Sequence, residues 1–285
     1  MRANAMLMKH QEWRDSQTTT RIEVDHHEFD LAIFESGEGN PVTLFLHGIP
    51  TWSYLFSEVY DAAEHAIIPD LPGYGYTNHI GAGGYNRSVR VMEETAVQLL
   101  KALGHDSVQV VGHDLGGSAA LRMAVHTDLV DRLVLSNVGC YDSWPVEFIH
   151  QQGLPGPARE WTRDDIEEKL DFVFGSGTYS DDNEPFVEGM KAPFLDPDHD
   201  IKRLSRNGVS TNTNHTLEIS HRLDEINAPT LLLWGADDML QSTDWADRLA
   251  DDIPNAEPAY LDHAYHWVMH DRPEAYHSAL SDFFE

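Results

Sequence analysis

The chain has 285 residues, 41% of them hydrophobic, enough for one large core or a core with an insertion. It carries 48 acidic against 19 basic residues, a formal net charge of -29, which repels nucleic acid and anionic lipid, so neither is expected as a partner. The single cysteine, Cys140, excludes an internal disulfide and suits a reducing cytosol, and no apolar run is long enough to span a bilayer. The acidic residues are spread along the whole chain (Asp181-Asp182, Asp196 to Asp200, Asp251-Asp252) and not gathered in a tail. Such an acidic skin suggests a halophilic, cytoplasmic protein whose self-repulsion is screened by salt.

Met1 to Thr20 lacks the apolar core of a signal peptide and reads as a loose polar arm. Arg21 to Val24 and Phe29 to Phe34 read as antiparallel strands joined near His26-His27. A Gly-Pro-rich turn then leads to a buried strand, Val42 to Leu46, that ends in His47-Gly48-Ile49-Pro50. Ala66 to Ile68 is a further strand. An amphipathic helix fits Arg87 to Leu103, with Gly104 as its C-cap.

The apolar run Val108 to Val111 predicts a buried strand, and the pattern after Gly117 predicts a helix to about His126. Between them lies Gly112-His113-Asp114-Leu115-Gly116. A small-x-nucleophile-x-small turn between strand and helix is a nucleophile elbow, which stands one side chain above the sheet. The usual occupant is Ser; here it is Asp114. A surface turn with Asp114 as a helix N-cap is the plainer alternative.

Leu133 to Ser136 is the next strand. From Tyr141 to Asn227 strand signals vanish, and helical segments (Arg163 to Phe174, Asn183 to Lys191, Ile201 to Asn207) are broken by Gly, Pro and Asp. Alternation resumes after Pro229 with strand Thr230 to Trp234, a helix near Trp245 to Leu249, strand Pro258 to Leu261 and helix Pro273 to Phe284. The pattern predicts an α/β fold with a mostly parallel central sheet flanked by helices. Residues 21–140 and 228–285 form its core, and residues 141–227 a helical cap. Ligands of such sheets bind beyond the carboxyl ends of the strands, where the elbow and the motif loops fall.

Four motifs, His47-Gly48-Ile49-Pro50, Gly112-His113-Asp114-Leu115-Gly116, Trp234-Gly235-Ala236-Asp237-Asp238 and Tyr265-His266-Trp267-Val268, resemble those of the α/β-hydrolase fold over most of the chain from about Phe29. Within that superfamily the sequence is similar to the Asp-nucleophile branch: haloalkane dehalogenases, fluoroacetate dehalogenases and soluble epoxide hydrolases. The stretch Pro50 to Phe56 resembles the haloalkane dehalogenase version. The resemblance implies a triad of Asp114 as nucleophile, His266 as base and Asp238 as acid. Asp237 and Asp142 are alternatives for the acid, and His263 and His270 compete with His266. The backbone N–H groups of Ile49 and Leu115 are the implied oxyanion donors. No cofactor or metal is implied, and the expected partner is a small-molecule substrate.

A carboxylate nucleophile suits attack on saturated carbon, giving an alkyl ester that a His-activated water then hydrolyses. Haloalkane dehalogenases place side-chain donors for the departing halide where this chain has Leu115 and Ile49. Trp52 or Trp144 could substitute, or could simply pack. Leu115 and Ser118 stand where fluoroacetate dehalogenases have Arg. Epoxide hydrolases protonate the ring oxygen with cap tyrosines, for which Tyr179 and Tyr141 are the candidates. The sequence therefore points to a haloalkane dehalogenase-like hydrolase of small apolar substrates. Epoxide hydrolysis is the alternative, and ester or lactone hydrolysis and a catalytically silent binding protein stand further off.

Overall fold

A computed structural model describes residues 8–153, 160–180 and 183–285. Helix α1 (His10–Ser16) leads into β1 (Thr18–Val24), which pairs with β2 (His27–Gly37). Then follow β3 (Val42–Leu46), β4 (His65–Pro69), β5 (Asn78–Ile80), α2 (Val89–Leu103), β6 (Val108–His113), α3 (Asp114–His126) and β7 (Val130–Ser136). Helices α4 (Glu147–Gln152), α5 (Arg163–Ser176), α6 (Glu184–Leu195), α7 (Arg203–Val209) and α8 (Asn214–Leu217) come next. The chain closes with β8 (Thr230–Gly235), α9 (Thr243–Asp252), β9 (Ala256–Leu261), α10 (Val268–Asp271) and α11 (Pro273–Phe284).

The strands make one sheet in the order β1-β2-β4-β3-β6-β7-β8-β9, with β5 added to β2. Strand β2 runs antiparallel to β1, β4 and β5; the remaining pairings are parallel. Strands covered on both faces are buried at every position, as β3, β4 and β6 are, and their few polar side chains are hydrogen-bonded, Thr43 to Gln109 for one. Alternate residues feed two cores. Leu44, Val110, Leu133 and Leu135 pack with α2, α3 and α9 on one face. Phe45, Val111, Val134 and Leu233 pack with Trp13 of α1 and Tyr276 and Leu280 of α11 on the other. Each such fully buried side chain contributes about 1.5–3 kcal/mol of transfer free energy.

Gly104 ends α2 in the left-handed region at φ 79°, its N–H returning to the Leu100 carbonyl. Among the described residues between β7 and β8 there are helices and no strand. No helix of the described residues is long and apolar enough to cross a membrane.

One expectation fails outright. The segment read as a loose arm carries α1 and the start of β1 within its described part, while residues 1–7 lie outside the described residues. Trp13 is fully buried, stacked on Phe34 with ring centroids 3.6 Å apart, and its indole N–H donates to Ser53 Oγ at 2.9 Å. Polar composition concealed it, because one large aromatic side chain is enough to dock a short helix.

Candidate active site

Strand β6 passes directly into α3 at Asp114, whose φ of +52° is in the left-handed region. A non-glycine residue held there is strained and persists only when its surroundings fix it. They do so by close approach. A Cβ on Gly112 would lie 2.6 Å from Gly117 Cα, and one on Gly48 would lie 2.2 Å from Asp114 Oδ1. Only glycine lets the strand, the helix and the loop after β3 meet around this one side chain.

Asp114 is 8% exposed. Its Oδ1 accepts the Ile49 N–H at 2.8 Å, while Oδ2 lies 3.7 Å from His266 Nε2, an ion pair wider than a hydrogen bond. Leu115 follows in the first turn of α3, where backbone N–H groups have no partner within the helix. The Ile49 donor is held from behind by His47. Its Nε2 accepts the Leu71 N–H at 3.0 Å, so Nδ1 carries the proton and donates to the Gly48 carbonyl at 3.0 Å.

His266 Nδ1 donates to Asp238 Oδ2 at 2.8 Å. Asp238 Oδ2 also accepts from Asn137 Nδ2 at 2.7 Å, and Oδ1 accepts the Leu240 N–H at 2.7 Å. Asn137 is fully buried, and its Oδ1 accepts the Gly235 N–H at 3.1 Å, tying the end of β7 to the end of β8. Nothing in the sequence reading singled it out. Its only signal was a polar residue just beyond an apolar strand run, at the end where ligands bind.

The charges follow from this geometry. Burial alone works against the His266 imidazolium, but Asp238 and Asp114 outweigh it and push it up to about 10. Burial likewise opposes the Asp114 carboxylate, and the adjoining His266 outweighs it, holding the group below its ordinary range. Asp238 is held low against burial by the same imidazole and by its N–H donors. His113 stacks obliquely beside His266 at 4.8 Å; burial, and then that neighbour, push it down to about 3, so it stays neutral.

The competing residues point elsewhere. Asp142 is exposed, and Asp237 accepts the His263 N–H at 3.1 Å. His263 bonds the Tyr179 hydroxyl, and His270 bonds Glu58. The three expected substrate contacts also fail to meet the triad. Trp52 donates its indole N–H to the Gly189 carbonyl at 2.9 Å, and Trp144 donates to Thr216 Oγ1 at 2.8 Å. Each indole is committed to packing because a buried N–H must find an acceptor. Tyr179 is 43% exposed and is not in the cavity lining, and Tyr141 donates to Asp252 at 2.6 Å.

A cavity of about 300 Å³ opens above Asp114, Asp238 and His266. Val146, Phe148 and Ile149 around α4, with Val173 of α5, form its far wall. Phe172 and Met239, both largely exposed, mark its mouth. No Lys or Arg lines it among the described residues. Nor is any group of three or more His, Cys, Asp or Glu among them arranged to hold a metal ion.

A carboxylate on a strand-to-helix elbow, with a His and a second carboxylate at the ends of neighbouring strands, defines a hydrolase of α/β fold. The sequence profile of the alpha/beta hydrolase family matches residues 43–279, and the chain belongs to that family. A 2-hydroxy-6-oxononadienedioate/2-hydroxy-6-oxononatrienedioate hydrolase of Paraburkholderia phymatum is 27% identical over 264 residues, covering 87% of this chain and 88% of that protein. An alpha/beta hydrolase fold protein from Burkholderia ambifaria superposes with a TM-score of 0.82 at 22% identity, covering 92% of this chain and 97% of its own. Haloalkane dehalogenase DbeA from Bradyrhizobium elkani does so with a TM-score of 0.77 at 21% identity, covering 93% and 97%. The two structures share the fold.

Proposed function

We propose that the chain is a cofactor-independent hydrolase in which Asp114 displaces a leaving group from a saturated carbon of a small, uncharged, largely apolar substrate. The observation that carries the reading is the state of Asp114. Ile49 holds one oxygen, and the other faces the cavity, too far from His266 to be tied by a hydrogen bond. That free oxygen attacks the carbon, and the leaving group departs with the bonding pair, leaving an alkyl ester on Asp114. Esterification removes one of the two anions that hold up the His266 imidazolium, so His266 releases its proton and becomes a base. It takes a proton from water, which attacks the Asp114 carbonyl; the Ile49 and Leu115 N–H groups face the oxyanion. The intermediate collapses and expels the alkoxide, which takes that proton from His266 and leaves as alcohol; the Asp114 carboxyl then gives its own proton to His266, and the ion pair returns.

The cavity separates this reading from the reaction of the curated relative. A dienedioate substrate carries two carboxylates, and among the described residues no Lys or Arg lines the wall, while Asp114 and Asp238 stand in it. A haloalkane is the substrate class put first. Epoxide opening is the second reading, supported by Tyr265. This residue lines the cavity beside His266, where its hydroxyl would donate to a ring oxygen.

His266→Phe tests the covalent step. The variant should complete displacement and stall, so that intact-protein mass spectrometry shows the alkyl mass and peptide mapping places it on Asp114. One turnover of the parent in heavy-oxygen water should label the same carboxylate. Turnover with neither adduct nor label would falsify covalent attack and leave direct hydrolysis of an ester by water. Halide release against diol formation separates the two leaving groups.

A further inference from the structure

The cavity wall is apolar apart from the triad and a few residues around it, and one of these carries an unpaired buried acceptor. Gln241 lines the cavity, is 1% exposed, and its Oε1 has no hydrogen-bond partner among the described residues. A buried, orphaned amide oxygen destabilises a fold unless a ligand satisfies it. The backbone under it is fixed at both ends. The Leu240 N–H donates to Asp238 Oδ1 at 2.7 Å, and the Trp234 indole N–H donates to the Gln241 carbonyl at 2.7 Å. The side chain is therefore carried on the same turn that carries the triad acid.

We propose that Gln241 is the specificity residue of this cavity: its carboxamide hydrogen-bonds an uncharged polar substituent, a hydroxyl, carbonyl or ether oxygen, of a substrate whose reacting carbon lies at Asp114. A carboxamide presents an acceptor and, after a half-turn of its terminal torsion, two donors, so it serves either kind of neutral partner. An apolar pocket with one placed polar group orients its occupant along a single axis. The substrate class narrows from a plain haloalkane or epoxide to one bearing a second, neutral oxygen function. This assignment rests on the cavity being the substrate site.

Hexanol and the α,ω-hexanediol probe it by calorimetry, without turnover. Gln241→Met keeps the length of the side chain and removes the polar group. The ratio of the two dissociation constants should shift toward hexanol by about tenfold, the loss of one hydrogen bond in a buried site. Gln241→Met should melt at or above the parent, because an unsatisfied acceptor has gone; a lower melting temperature would mean a structural role and overturn the assignment. In the parent itself, the Gln241 side-chain amide resonances should move with the diol and not with hexanol. An unchanged ratio, or no binding of either alcohol to the parent, also overturns it. Neither outcome touches the mass test of Asp114, so the two readings fail separately.

Discussion

At the scale of single residues, Asp114 and His266 set each other's protonation, and the sign of the effect is testable. In the parent, His266 keeps the Asp114 carboxyl below its ordinary range despite burial. Displacement, which needs the carboxylate, should therefore persist into acid and fail only as pH drops through that depressed value. His266→Phe removes the cation and leaves burial unopposed, so the Asp114 pKa rises. Adduct formation in the variant should fall away at a higher pH than the burst phase of the parent, measured by rapid quench across a pH series. Coincident profiles would mean that His266 does not control the nucleophile. That Asp114, His266 and Asp238 come together was legible because each sits in a motif loop at a strand end. Asn137 and Gln241 were not, since a polar residue has meaning there only once its burial and its partners are known. Trp52, Trp144 and Tyr179 misled because aromatic residues read the same whether they face a ligand or a packing partner.

At the scale of elements, strand positions follow from runs of apolar residues, and their ends moved by only a few residues from the reading, as at β6 and β8. The short pieces were harder: β5 and α10 have too few residues to show a period. Helix α1 was missed for a different reason, since Trp13 is its one buried side chain. Trp13→Ala should cost about 3–5 kcal/mol of stability, the usual range for emptying a large aromatic site. Chemical denaturation would show it as a lower midpoint with unchanged slope. A loss below about 1 kcal/mol would return α1 to the status of an appendage. The indole also bonds Ser53, whose N–H donates to Asp70 at 2.9 Å, so the damage should spread to the turn after the Ile49 loop.

At the scale of the whole molecule, the charge of -29 is compensated in few places. Buried cations are already crowded by acids: Lys191 pairs with Glu167, Asp171 and Glu188, and Arg122 with Glu93 and Glu218. We infer that the remaining carboxylates repel one another across the surface, in keeping with a halophilic origin. Raising sodium chloride from about 0.1 to 1 M shortens the screening length from about 10 to 3 Å. The melting temperature should then climb by several degrees, at roughly 2–4 °C for each kcal/mol in a chain of this size. Equal melting temperatures would remove the halophile reading and leave the chemistry untouched. The order of the sheet carries a different lesson. Leu133 of β7 and Thr230 of β8 are hydrogen-bonded neighbours although α4 to α8 lie between them in sequence. The chain leaves the sheet at the carboxyl end of β7 and crosses over to start β8 beside it, so the strand order is the same however many helices the crossover carries. The α4 and α5 wall of the cavity therefore lies on a different piece of chain from Asp114, Asp238 and His266, while Gln241 shares the turn of Asp238. Replacing the α4 and α5 wall should change what the cavity admits and leave the sheet in place.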